Sequence, residues 1–224
     1  PFPDWLAAMP SEQSLTDAMR VVLHTQERAG IDYVVDGELY RFDVNHPETN
    51  GMFDYFLRPM SGFRHEVTYD EILEFKKTYS GLWKQPVGVV DGPIGSGTLN
   101  LPAACERARA LTDRPLKFTI TGPHMLARLP VNKHYPDRAA LADAIADVLA
   151  QQVAACDADI IQMDEASLPV LPDDWPYAAR AINKVLDAAK GMTAVHLCLG
   201  NYNGQRSPGA SSWDRLLDYL NALH

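Results

Sequence analysis

Five apolar, β-branched runs, each closing on a short polar or glycine-rich tip, constrain the fold of this 224-residue chain more than any other feature. They are Ile31–Val35 before Asp36-Gly37-Glu38, Val87–Val90 before Asp91-Gly92-Pro93, and Leu116–Ile120 before Thr121-Gly122-Pro123. Asp159–Met163 before Asp164-Glu165 and Thr193–Val195 before His196-Leu197-Cys198 complete the set. Between the runs, apolar residues at helical spacing predict helices over Ser11–Ala29, Asp137–Cys156 and Trp175–Ala189, with Gly30 and Lys190-Gly191 as C-terminal caps. Asp70–Tyr79 and Pro102–Ala110 predict two more. Strands alternating with helices imply βαβ units and a parallel sheet. The runs read as apolar throughout, so both sheet faces are expected to be covered.

No Gly-x-Gly-x-x-Gly follows a strand, and Gly92-Pro93-Ile94-Gly95-Ser96-Gly97 lacks the Lys-Ser/Thr of a phosphate loop. The α/β architecture that gives every polar tip a purpose is a closed (β/α)8 TIM barrel, whose strand C-termini share one mouth. An open doubly wound sheet is the alternative. On a barrel rim, Asp36, Glu38, Asp91, Asp164, Glu165, His196 and Cys198 converge. In an extended strand, residues two apart share a face, so His196 and Cys198 can reach one metal ion, and a Cys/His pair suits Zn²⁺. Crowded carboxylates around that pair favour a cation. Asp36 and Asp91, each followed by glycine, read equally well as turn caps. His124, directly after Thr121-Gly122-Pro123, is a further site candidate. Cys105 and Cys156 fall in helical patterns and read as buried thiols. The polar segment 40–68 suits a lid or insertion over the mouth.

A net charge of −9 argues against a nucleic-acid or anionic-membrane partner. No run approaches the roughly 20 apolar residues that span a bilayer. Three irregularly spaced cysteines point to a reducing, cytoplasmic setting rather than a disulfide framework.

Taken in order, Asp36-Gly37-Glu38-x-x-Arg41, Thr121-Gly122-Pro123, Ile161-Gln162-Met163-Asp164-Glu165 and His196-x-Cys198-x-Gly200-Asn201 resemble the catalytic barrel of the cobalamin-independent methionine synthase family. The resemblance runs over nearly the whole chain. It implies one catalytic domain over 1–224, an incomplete barrel of about strands two to six with their helices. Strands one, seven and eight, and two further zinc ligands past His224, are expected outside it. It also implies a zinc-dependent methyl transfer to a thiol, with homocysteine as acceptor. His196 and Cys198 would be zinc ligands, and Glu38 and Asp164 would bind the amino group of the substrate. Asp36, His124, Glu165 and Asn201 are candidates for the donor side or for supporting these groups.

The sequence departs from the family on the donor side. Where folate-using members carry a Trp, this chain has His124-Met125-Leu126-Ala127-Arg128-Leu129. Where they carry Asp-Glu-Pro-x-x-x-Glu, it has Asp164-Glu165-Ala166-Ser167-Leu168-Pro169-Val170. The expected partners are therefore a small-molecule thiol and a non-folate methyl donor, with a corrinoid protein as one candidate donor. An epoxide-to-thiol transfer of the coenzyme M type is the alternative within this chemistry. A metal-free barrel like uroporphyrinogen decarboxylase, or a non-catalytic homologue, is the alternative outside it.

Overall fold

The computed structural model describes residues 11–42, 50–78, 85–198 and 213–224. In chain order these form α1 (Glu12–Arg28), α2 (Gly51–Leu57), β1 (Ser61–Arg64), α3 (Tyr69–Thr78), β2 (Val89–Gly95) and α4 (Leu101–Arg109). There follow β3 (Lys117–Thr121), α5 (Pro123–Leu126), β4 (Val131–Asn132), α6 (Arg138–Ala154), β5 (Ile160–Glu165), α7 (Trp175–Leu186), β6 (Met192–Leu197) and α8 (Leu217–Asn221). The result is a mixed α/β fold with two three-stranded sheets. None of the described helices is long and apolar enough to cross a membrane.

In the sheet β3-β5-β6 every pairing is parallel, as the alternation of strands and helices requires. Thr119, Gln162 and Ala194 lie at one level, and Thr121, Asp164 and His196 at the next. The expected strand Ile31–Val35 reaches this sheet only as a single parallel bridge, Val34 to Leu116. Its other edge is closed by a side chain. The Gln26 amide donates to the Val35 carbonyl at 2.7 Å and accepts from the Val35 N–H at 3.0 Å, satisfying backbone groups that a neighbouring strand would otherwise take.

The second sheet corrects one expectation. Asp91-Gly92-Pro93 is not a strand tip: β2 runs through it to Gly95, paired antiparallel with β1 and parallel with β4. Asp91 is exposed and accepts from Arg64 at 3.0 Å, so it stands with the β1-β2 pair and not with the other tips. The antiparallel pairing overrides the local turn signal because Gly62, at φ +78° in the irregular step between Ser61 and Phe63, lets the Gly92 and Pro93 carbonyls approach. Residues 40–68 therefore include, among those described, a helix burying Phe53, Phe56 and Leu57 and a paired strand.

The helices follow their sequence signals closely. Ser11 caps α1, accepting from the Ser14 N–H at 3.1 Å, and Gly30 takes the left-handed turn just past its end. Helix α6 buries Leu141, Ile145, Leu149 and Val153, a ridge at every fourth residue, and Asp137 caps it by accepting from the Ala140 N–H at 2.8 Å. Asp137→Ala should lower stability by about 1 kcal/mol, read as a shift in the denaturant midpoint with an unchanged slope. Cys105 and Cys156 are buried, as expected of core thiols. Helix α7 ends at Leu186, short of the expected Ala189, so Gly191 is not its cap. A side chain at Gly191 would collide with the Asp159 carbonyl, and glycine lets the chain enter β6 beside the start of β5.

The strands are not apolar throughout. In β5 burial alternates, with Ile161, Met163 and Glu165 inside and Ile160, Gln162 and Asp164 half-buried. Registered residues of parallel strands share a face. One face of the sheet is thus polar, carrying Lys117, Thr119, Thr121, Gln162, Asp164 and His196, while Phe118, Ile120, Ile161 and Met163 on the other enter the core.

Candidate active site

The polar face ends in a row of strand tips, and the sequence candidates divide between its two sides. Asp164 closes β5 with Thr121 and His196 as its neighbours across the sheet. The Cys198 N–H donates to the Glu165 carbonyl at 3.2 Å, extending the β5-β6 ladder one residue past β6. Alternation then puts His196 and the half-buried free thiol of Cys198 on the side of Asp164. Asn201 lies outside the described residues.

Glu38 joins this face from the neighbouring tip by an unusual turn. It is the only non-glycine among the described residues with positive φ, at +58°, and it follows Gly37 at +80°. A side chain bearing Cβ rarely adopts this conformation, and such residues concentrate where function requires a fixed direction. Asp36 holds the turn. Buried, it accepts from the Glu38 N–H at 3.0 Å and from the Tyr40 hydroxyl at 2.8 Å. Its role is therefore that of a turn cap. Glu38 itself accepts a hydrogen bond from the Thr119 hydroxyl and pairs with Arg41 at 3.2 Å.

The electrostatics tie these groups into one site. Burial raises the pKa of Asp164, the Gln162 amide at 2.8 Å opposes that rise, Glu38 adds to it, and His196 and Arg41 lower it. Burial likewise raises Asp36, against the pull of Arg41. Three carboxylates, Asp36, Glu38 and Asp164, thus lie within electrostatic reach of the one guanidinium of Arg41.

Glu165 belongs to the other face, contrary to its grouping with the rim carboxylates. One residue along the strand reverses the side chain, and Glu165 is wholly buried. Its Oε1 accepts from the Ser167 and Leu168 N–H groups at 2.7 and 3.0 Å, and its Oε2 meets His124 Nδ1 at 3.0 Å. His124 Nε2 meets Asp174 Oδ2 at 3.1 Å, where Arg128 at 3.3 Å and the Tyr177 hydroxyl at 2.8 Å also converge. Burial alone would lower the pKa of His124, but the Glu165 charge and hydrogen bonds to both carboxylates lift it to about 9. The imidazole is a charged bolt between the tip of β3 and the loop after β5. It is 1% exposed and does not open onto the polar face.

Sequence reasoning missed Thr119 and the role of Arg41. Thr119 was legible as a polar residue two positions before Thr121 in β3. Asp174 and Tyr177 carried no sequence signal that links them to His124.

The arrangement is that of a mixed α/β fold whose parallel sheet carries Asp164 and His196 at adjoining strand tips, with Glu38 and Cys198 beside them. Comparison with known proteins gives the family. The model described as "Cobalamin-independent synthase, Catalytic domain" matches residues 5–206, and the chain belongs to that family. It is 27% identical over 217 residues to the methionine synthase of Pyrococcus abyssi, covering 90% of this chain and 60% of that protein. The methionine synthase of Saccharolobus islandicus is 25% identical over 195 residues, covering 86% of this chain and 54% of its own length. The structure of a B12-independent methionine synthase from a Shewanella strain, in complex with selenomethionine, superposes with a TM-score of 0.71 at 26% identity, covering 89% of this chain and 59% of that one. This chain thus spans 54–60% of the length of these relatives.

Proposed function

We propose that this chain contributes most of a (β/α)8 barrel that transfers a methyl group to the thiol of homocysteine with the help of zinc. The observation that carries the reading is the adjacency of two unlike pairs. Glu38 and Asp164 feel one another's charge, and His196 on the next strand and Cys198 just past its end follow along the same polar face. Membership of the family favours this reading over the decarboxylase-like and non-catalytic alternatives, and over opening of an epoxide. A family described as cobalamin-independent lends no support to a corrinoid-protein donor.

Glu38 and Asp164 would hold the amino group of the substrate, each carboxylate taking one or more N–H bonds of the ammonium. That anchors the amino-acid end so that the sulfur lies toward His196 and Cys198. These two residues fit zinc by donor type and by their shared face, and they would supply two of its tetrahedral ligands. No group of three or more candidate ligands gathers among the described residues. Zinc bound there would hold the thiol, with a free pKa of about 8.5, as a nucleophilic thiolate at neutral pH. The sulfur gains the methyl group, the donor keeps the electron pair of its broken bond, and the product is a thioether. Because the pKa of Asp164 is raised, amine binding should weaken on acidification earlier than an ordinary aspartate would dictate.

The test is direct. The intact protein, purified without chelator, should carry stoichiometric zinc, and added homocysteine should shift the zinc absorption edge toward more sulfur. Protein that binds zinc but leaves the edge unchanged with homocysteine has another acceptor. Protein with no zinc overturns the reading.

A further inference from the structure

Arg41 is a costly residue that the proposed chemistry does not use directly. Its side chain is 3% exposed, and its Nε is buried without a hydrogen-bond partner. A guanidinium taken out of water and left partly unpaired is a poor device for stability. Its surroundings suggest another purpose. The Arg41 carbon Cζ lies 5.1–5.7 Å from the ring centroids of Tyr40, Tyr55, Phe56 and Phe118, which fix the plane of the fork through cation-π contacts. The two terminal nitrogens then point at one place. Nη2 donates to the Thr119 carbonyl at 2.6 Å, and Nη1 faces Glu38 at 3.2 Å. The Thr119 hydroxyl donates to the other oxygen of the same carboxylate.

We infer that Arg41 and Thr119 form a clamp that positions Glu38, holding its carboxylate toward Asp164 so that the pair accepts the ammonium group of the substrate. The inference rests on the reading above of Glu38 and Asp164 as the amine site. Glu38 reaches the site through a backbone conformation that a glutamate rarely adopts, and although Asp36 holds that backbone, the bonds of Asp36 do not fix the carboxylate at the end of the Glu38 side chain. Nor do the two carboxylates favour one another, since each repels the other's charge. The clamp meets both needs, with a cation fixed by aromatic rings and a hydroxyl fixed in β3. Lysine could supply the charge but not the planar fork that reaches Thr119 and Glu38 together. Arg41 is thus a positioning residue, with no contact to the reacting atoms.

The experiment compares binding of homocysteine with that of its des-amino counterpart, 4-mercaptobutanoate, to the intact zinc-loaded protein by calorimetry. Arg41→Gln should weaken homocysteine binding by about 10–100-fold, the range for a hydrogen bond to a charged group, while leaving 4-mercaptobutanoate within about twofold of the unmodified protein. Arg41→Lys should fall between the two. Thr119→Val, nearly isosteric and keeping Arg41, should show the same selective loss to a smaller degree, and it carries the test if Arg41→Gln fails to fold. Equal loss of both thiols in the folded variants, or no loss of homocysteine, overturns the clamp. An unmodified protein that binds both thiols equally removes the amine site itself, and the clamp with it.

Discussion

Replacing His124 with alanine should cost about 3–5 kcal/mol of stability, the range for removing one partner of a buried ion pair. The cost arises from what is left behind. Glu165 would keep an oxygen in the core with no cation against it, and Asp174 would lose its bond to the imidazole. His124→Val combined with Glu165→Gln should recover much of the loss. Glutamine carries no charge, yet its carbonyl can still accept from the Ser167 and Leu168 N–H groups that close the loop after β5. Urea unfolding of the single and double variants measures the difference. A single variant within 1 kcal/mol of the parent would mean that water already reaches Glu165.

The same imidazole gives stability a dependence on pH with a defined sign. In the folded protein it holds its proton up to about 9, against about 6.5 in an unfolded chain. A raised pKa in a basic group means that the folded state binds the proton more tightly. Its contribution, about 3 kcal/mol, is complete below about pH 6.5 and is lost as pH rises through 9. Asp174 works at the other end. Although burial raises its pKa, the His124 and Tyr177 hydrogen bonds lower it overall, so its contribution is present above the ordinary carboxylate range and lost in acid. The parent should therefore lose stability between pH 7 and 9 by more than His124→Ala does, and equal slopes in that interval would place the proton elsewhere.

Much of the fold could be read from the chain because its local signals agree with its packing. The helices expected from Ser11 and Asp137 begin there, and the four-residue ridge of α6 falls where spacing puts it. The failures have physical causes. Asp91-Gly92-Pro93 reads as a turn, but the sequence-distant strand β1 supplies β2 with a partner that keeps it extended, and no local window contains that partner. Glu165 was grouped with Asp164 because they are adjacent, although adjacency in a strand means opposite faces. Counting by twos, which pairs Asp164 with Gln162, separates them, and extended to β3 it finds Thr119 on the same face. The positive φ of Glu38 has no sequence signature beyond the glycine before it. It is the feature that most changes the reading of the site, because it turns a rim carboxylate into one that must be held.

Cys198→Ser and His196→Ala should each lower zinc affinity by a factor of about 100–1000. Zinc held by a full ligand set is worth about 10–16 kcal/mol, so a quarter of that is roughly 3 kcal/mol per ligand. Serine tests the donor atom more sharply than alanine does. It keeps the shape of the Cys198 side chain but replaces a soft sulfur donor with a hydroxyl that stays protonated at neutral pH. Each substitution is also mild for the fold. His196 is exposed and Cys198 half-buried, and neither side chain enters the core that α6 and α7 form against the other face of the sheet. The variants should therefore keep the melting temperature of the metal-free protein while losing metal during dialysis against a competing chelator. Measured together, metal content and melting temperature separate a ligand from a structural residue. A variant that unfolds marks a structural role for the residue, and a variant that stays folded with its zinc intact shows that the ion is held elsewhere.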